Sequence, residues 1–296
     1  MSTLNSSDIT PSDAPESATA SATASGTQFL YWEYARTPFA SAMFLLPLLI
    51  FYEWSVFSVP DQELTNGAHQ WVRTVMVNFG LNDLMVSVAL FLGLVVWHYW
   101  SKLSFRLHYE TLLGMWSESI LFALLLIFMG QAQHLAMIEH PATDVPQIGQ
   151  QFQQIFLTVY HPVTPPKQQL ICYMGAGIYE ELIFRLMMIP VCFYLLRLIF
   201  IPRLVSATLA VLTSGLLFAV AHEVTLADAT VPLNELPTAV WGQIHSSDLR
   251  LFVFAFRWLA GVFFGVLFLL RGFGIAVGCH LIYDIFVGIM MQPESN

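Results

Sequence analysis

Charged side chains are scarce in this sequence. They make up 10% of its 296 residues, while 56% are hydrophobic and the mean hydropathy is +0.65. A soluble domain carries about 25% charged residues, so the balance excludes that class and defines an integral membrane protein. The formal charge of −9 comes with no basic cluster, which excludes nucleic acid as a partner. Cysteine is nearly absent. Cys172, Cys192 and Cys279 lie in apolar runs with neither a CxxC pair nor zinc-finger spacing, so they read as small core residues and exclude a disulfide framework. No internal repeat is evident, which weighs against a carrier built from inverted halves.

The first 27 residues have neither an apolar core nor a positive start. They are expected to form a disordered polar tail rather than a signal peptide. The final PESN does not match a prenylation box.

What is present is a series of apolar runs. About 20 residues at 1.5 Å rise cross the hydrocarbon core, so transmembrane helices are expected near 39–59, 81–100, 111–130, 169–200, 204–222, 251–270 and 273–292. The fourth run is too long for one upright crossing and contains Pro190, which predicts a tilt, a kink or a break into two helices. The expected fold is all-α, a polytopic membrane bundle of seven transmembrane helices, with eight as the alternative. Residues 1–27 form the tail, 28–167 the accessory helices and a loop, 168–292 the core, and 293–296 a short end. The connections 131–168 and 223–250 read as solvated loops or interfacial lids.

Lysine and arginine set the orientation. Arg36, Lys102, Arg106, Arg197, Arg203 and Arg271 fall on one side, against Arg73, Lys167 and Arg250 on the other. That bias predicts a multi-pass protein of the cell membrane with a cytoplasmic N-terminus. Trp97, Tyr99 and Trp100 read as interfacial anchors.

Against this apolar background, GIYEELIFRL at 177–186 puts two glutamates and an arginine where hydrocarbon belongs. Left unpaired, Glu180, Glu181, Arg185 and Asp284 together cost about 10 kcal/mol on insertion scales. Glu181 and Arg185 are spaced i,i+4 with the acid first, the favourable order for a pair. Glu180 points about 100° away around the helix, where that arginine does not readily neutralise it. One carboxylate is thus structural and the other free to act. Phe218 and His222 share a face on a second apolar run, and His280 and Asp284 share one on a third. Two histidines and three acids on three helices point to a common polar cavity. Glu53 and Arg257, also within spans, read as a pair with each other or with Glu223, or as lining of a substrate path.

Several hydrolase schemes fit poorly. There is no GxSxG, Leu226 stands where a second zinc-binding histidine would follow His222-Glu223, and Tyr283-Asp284 lacks the GxGD partner of an aspartyl protease. A carboxylate base with histidines, suited to activating water, remains.

The motifs EELIFR, FAVAH and HLIYD, in this order on three apolar runs over about 168–292, resemble those of the CPBP family. Its members include type II CAAX prenyl endopeptidases and bacteriocin-processing and immunity proteins. The resemblance implies an intramembrane endopeptidase acting on a peptide or membrane-protein substrate, prenylated or carrying a leader. It implies that Glu180 is the general base, that His222 assists, and that His280 and Asp284 stabilise the oxyanion or orient the water. Glu181, Arg185 and Phe218 would hold the site together. The prenyl endopeptidases usually carry asparagine where Asp284 stands. An ionised aspartate cannot donate a hydrogen bond, so Asp284 is either protonated or orients His280. No cofactor is expected, a catalytic zinc being the minority alternative. The alternative function is a non-catalytic membrane scaffold or bacteriocin-immunity protein of the same fold.

Overall fold

The computed structural model describes residues 31–58, 83–106, 108–138, 166–224 and 234–290. The tail at 1–27, the end at 293–296, Arg73 and much of the two long connections fall outside those residues.

Among the described residues the delimited helices are α1 (Pro38–Phe57), α2 (Asp83–Trp100), α3 (Tyr109–Ile138), α4 (Pro166–Glu181), α5 (Ile189–Leu198), α6 (Arg203–Val224), α7 (Leu236–Ile244), α8 (Asp248–Arg271) and α9 (Phe273–Ile285). A π-helical segment, Leu182–Met188, joins α4 to α5, and a second, Phe286–Met290, follows α9. No strand occurs among the described residues.

Within the described residues each of the seven apolar runs is largely helical. Among the described residues four helices are long and apolar enough to cross a membrane: α1, α3 over Tyr109–Gln133, α6 over Arg203–Glu223, and α8. Leu84–Trp100 and Phe273–Gly288 are shorter apolar helices. The chemistry of the ends fixes where helices start. The Ala40 N–H donates to Thr37 Oγ1 at 3.2 Å ahead of α1, and the Arg250 N–H donates to Ser247 Oγ at 3.2 Å ahead of α8.

The fourth run does not break at Pro190. It continues as helix from Pro166 to Leu198, with the π segment directly before the proline. Proline supplies no N–H and its ring crowds the carbonyl four residues back. The wider π turn takes up that defect without ending the helix. Within the 223–250 connection, α7 lies against α6 and α8 with Val240 and Ile244 buried and Trp241 exposed.

The helix α9 is the core of the bundle. From Phe273 to Leu281 every residue is buried, as are Tyr283 and Asp284, because α3, α4, α8 and α1 enclose it. Its first turn is fixed by the Gly274 N–H, which donates to Ser41 Oγ at 3.0 Å. α8 packs most extensively on α6. Their backbones touch where Gly261 faces Gly215, and a Cβ on Gly261 would lie 2.7 Å from the Gly215 Cα. Leu121, Phe128 and Leu204 point outward from α3 and α6, as lipid-facing side chains do.

Candidate active site

The helical path through α4 carries Glu180 and Glu181, and the π segment that follows carries Arg185. Glu181 and Arg185 are fully buried and pair at 3.0 Å through Oε1 and Nη1. The same Glu181 oxygen accepts a hydrogen bond from His280 Nδ1 at 2.8 Å. Arg185 Nη2 donates to the Gly261 carbonyl at 3.3 Å. Its guanidinium carbon lies 4.5 Å from the centre of the Phe218 ring and 5.2 Å from that of Phe264. A buried cation thus meets one carboxylate, one carbonyl and two aromatic rings, the kind of surroundings that offset its desolvation.

Three helices are locked to this arginine, and the locking fixes the imidazoles. The His280 ring stacks on Phe264 with centroids 4.6 Å apart and planes at 20°. His222 Nδ1 lies 2.9 Å from the Phe218 carbonyl. A carbonyl only accepts, so Nδ1 carries the hydrogen and the other nitrogen, Nε2, faces the cleft. Gly177 permits the approach of α4 to α9: a Cβ there would sit 3.1 Å from the backbone nitrogen of Leu281.

Glu180 stands apart from this lattice. Its Oε2 is 3.8 Å from His222 Nε2 and 3.8 Å from His280 Nε2, and it is buried without a direct hydrogen bond. Those gaps exceed a direct hydrogen bond and suit a small polar molecule shared between the groups. Asp284 Oδ2 lies 3.4 Å from His280 Nε2 on the same side. The structure therefore brings Glu180, His222, His280 and Asp284 into one cluster. Glu181, Arg185 and Phe218 lie immediately behind it.

Other in-span charges find partners across helices. Arg257 Nη1 donates to Glu223 Oε1 at 2.8 Å, so Glu223 rather than Glu53 is its partner. Glu53 instead accepts from the Ser87 hydroxyl. Glu118 receives Arg271 through two bonds of 2.6 and 2.7 Å, and Trp32 covers that guanidinium at 3.5 Å.

Sequence reasoning missed Phe264, which carries His280, and Ser214, whose hydroxyl donates to the Phe184 carbonyl at 2.6 Å within the π segment. A phenylalanine and a serine in apolar helices carry no signal of their own. Only the neighbouring helix gives them a task. Among the described residues no group of three or more His, Cys, Asp or Glu has an arrangement for holding a metal ion.

The described residues form an all-helical bundle of membrane type with a buried carboxylate–histidine cluster. Residues 162–286 match the family model described as type II CAAX prenyl endopeptidase Rce1-like, so this part of the chain is similar to that family. The match takes in α4 to α9 and all the clustered residues. No curated protein and no solved structure matches the chain.

Proposed function

We propose that this protein is an intramembrane endopeptidase that cleaves a prenylated C-terminal CAAX-type segment with water activated by Glu180. The observation that carries the reading is the position of Glu180 Oε2, 3.8 Å from each of two imidazole Nε2 atoms and without a direct hydrogen bond. A water held there touches a carboxylate that can take its proton.

Glu180 takes a proton from water as the water oxygen bonds to the substrate carbonyl carbon. His222, whose Nδ1 is committed to the Phe218 carbonyl, offers Nε2 as an acceptor and holds the water for attack. His280, kept in orientation by Glu181, Phe264 and Asp284, donates from Nε2 to the developing oxyanion. One such donor is worth roughly 3–4 kcal/mol in the transition state. Glu180 then returns its proton to the amine as the C–N bond breaks.

A prenyl chain needs an apolar channel beside the scissile bond. A groove of about 610 Å³ runs between α2 and the π–α5 segment, lined among others by Leu90, Trp97, Leu182, Met187 and Tyr194. Leu182, the residue after Glu181, is part of its lining, and the apolar walls support a lipidated substrate. The charge bias supports a cytoplasmic N-terminus.

The test is hydrolysis of a farnesylated CAAX peptide by purified full-length protein, with products identified by mass spectrometry. Wild type should release the C-terminal tripeptide. Glu180→Gln should lower kcat by about 10²–10⁴-fold, the usual worth of a general base. The scheme uses no metal, so a chelator should leave the rate unchanged. Equal turnover by wild type and Glu180→Gln would remove the proposal, and a scaffold of the same fold would give no Glu180-dependent product.

A further inference from the structure

The two helices that wall the apolar groove end at one level of the bundle. The Ser87 hydroxyl on α2 lies 3.4 Å from that of Tyr179 on α4. From there both helices run in the same direction, to Trp97 on one wall and Tyr194 on the other. The turn after α2 carries Lys102 and Arg106, and the turn between α5 and α6 is flanked by Arg197 and Arg203. All four are exposed, and no acid occurs from Trp97 to Tyr109 or from Tyr194 to Leu204. Glu110 follows directly after the first of these stretches. Arg185, Arg257 and Arg271, by contrast, are each committed to a carboxylate.

Each of the two turns also holds a non-glycine residue in the left-handed region, Lys102 at φ 53° and Phe200 at φ 63°. No other non-glycine residue among those described does so. At the second turn the Phe200 N–H donates to the Arg197 carbonyl at 3.1 Å and the Ile201 N–H to the Leu196 carbonyl at 3.2 Å. Glycine is the usual occupant of such a helix end, and a phenylalanine there is strained. Its side chain is nevertheless 92% exposed, with Leu198, Ile199 and Leu204 exposed beside it and Tyr99 and Trp100 at the end of α2. In water this residue would lose on both counts. Apolar and aromatic tips bordered by cations suit the boundary between acyl chains and phosphates, and strain kept at a turn points to a use.

We propose that these two turns form a docking surface for anionic phospholipid at the end of the groove. Phe200 and its apolar neighbours enter the acyl boundary, and Lys102, Arg106, Arg197 and Arg203 meet lipid phosphates. Each cation held near an anionic leaflet strengthens binding roughly fivefold. The arginines add a fork that matches phosphate oxygens. This end of the bundle is the one proposed above to face the cytoplasm. The inference concerns lipid alone and stands whether or not the protein hydrolyses peptides.

Thermal unfolding of the full-length protein in nanodiscs tests it, with phosphatidylcholine alone or mixed with phosphatidylglycerol. Wild type should unfold several degrees higher in the mixed discs, and high salt should shrink that gain. Lys102→Gln, Arg106→Gln and Arg203→Gln combined should lose most of it. Arg250→Gln, at the opposite end of α8 from Arg271, should keep it. Phe200→Gly suits the left-handed backbone, so in detergent it should unfold no lower than wild type while gaining less from phosphatidylglycerol. Equal gains in wild type and the triple variant would overturn the inference, as would no gain in wild type. An equal loss in Arg250→Gln would reduce the effect to net charge and overturn it too. An equal gain from soluble glycerol phosphate in phosphatidylcholine discs would do the same, since no lipid would then be needed.

Discussion

Glu180 and Glu181 are adjacent in sequence and opposite in circumstance. Glu181 pairs with Arg185 at 3.0 Å and accepts a hydrogen bond from His280, whereas Glu180 makes no direct hydrogen bond through Oε2. Removing the charge of Glu181 leaves a fully buried guanidinium without its carboxylate, and breaking a buried pair costs roughly 3–5 kcal/mol. Removing the charge of Glu180 leaves no group newly unpaired. Thermal unfolding in detergent should therefore show a large drop in midpoint for Glu181→Gln and little or none for Glu180→Gln. The opposite ranking would mean that the two carboxylates have been assigned the wrong way round. Phe264 makes the same point for an apolar residue. Its ring stacks on His280 and covers Arg185, an aromatic contribution of roughly 0.5–1.5 kcal/mol beyond burial.

At the scale of the element, two devices set the site. The first is the π segment at Leu182–Met188, which lets one helix run past Pro190 while carrying Arg185 inward. The Ser214 hydroxyl on the Phe184 carbonyl pins that segment to α6. The second is the contact of α6 with α8 at Gly215 and Gly261. Gly261→Val would push a side chain into the Gly215 backbone, which has no flexible end to yield. Overpacking of this kind costs roughly 1–3 kcal/mol. It would also separate Phe218 on α6 and the Gly261 carbonyl on α8, both of which meet Arg185. Peptide hydrolysis by Gly261→Val should fall at least tenfold even at temperatures where circular dichroism shows the helices intact. Full activity in that variant would show that the helix spacing is not what holds the cluster.

On the scale of the molecule, a second knot of buried charge lies away from the cluster among the described residues. Glu118, Arg271 and Trp32 form one knot at the C-terminal end of α8, about 20 Å along the axis from Arg257. This knot ties α3 to the turn that leads into α9, far from the cluster on Glu180. Glu118→Ala should lower the unfolding midpoint by several degrees and leave kcat of the folded protein unchanged within about twofold. A selective fall in kcat would instead mean that the knot reaches the site through α9.

Much of this architecture was legible in one sequence. Within the described residues each of the seven apolar runs is largely helical, because hydropathy and length act within a run and need no neighbour. The Glu181–Arg185 spacing was equally plain, since i,i+4 geometry belongs to the helix itself. The partner of Arg257 was not: Glu53 and Glu223 were equivalent candidates along the chain, and only the packing of α6 on α8 selects Glu223. The fate of Pro190 was open for a similar reason, because a proline ends a helix or is absorbed by a π turn according to what surrounds it.

The sequence by itself determined a membrane protein of helices, the three motif-bearing segments and the i,i+4 partners within each. Those properties depend on residues a few positions apart. The tertiary structure alone decided which face of each helix turns inward, that Phe264 supports His280, and that Glu180 lies equally far from two imidazoles. Such facts depend on the rotation and spacing of helices far apart in the chain, which are settled only when the whole bundle packs at once.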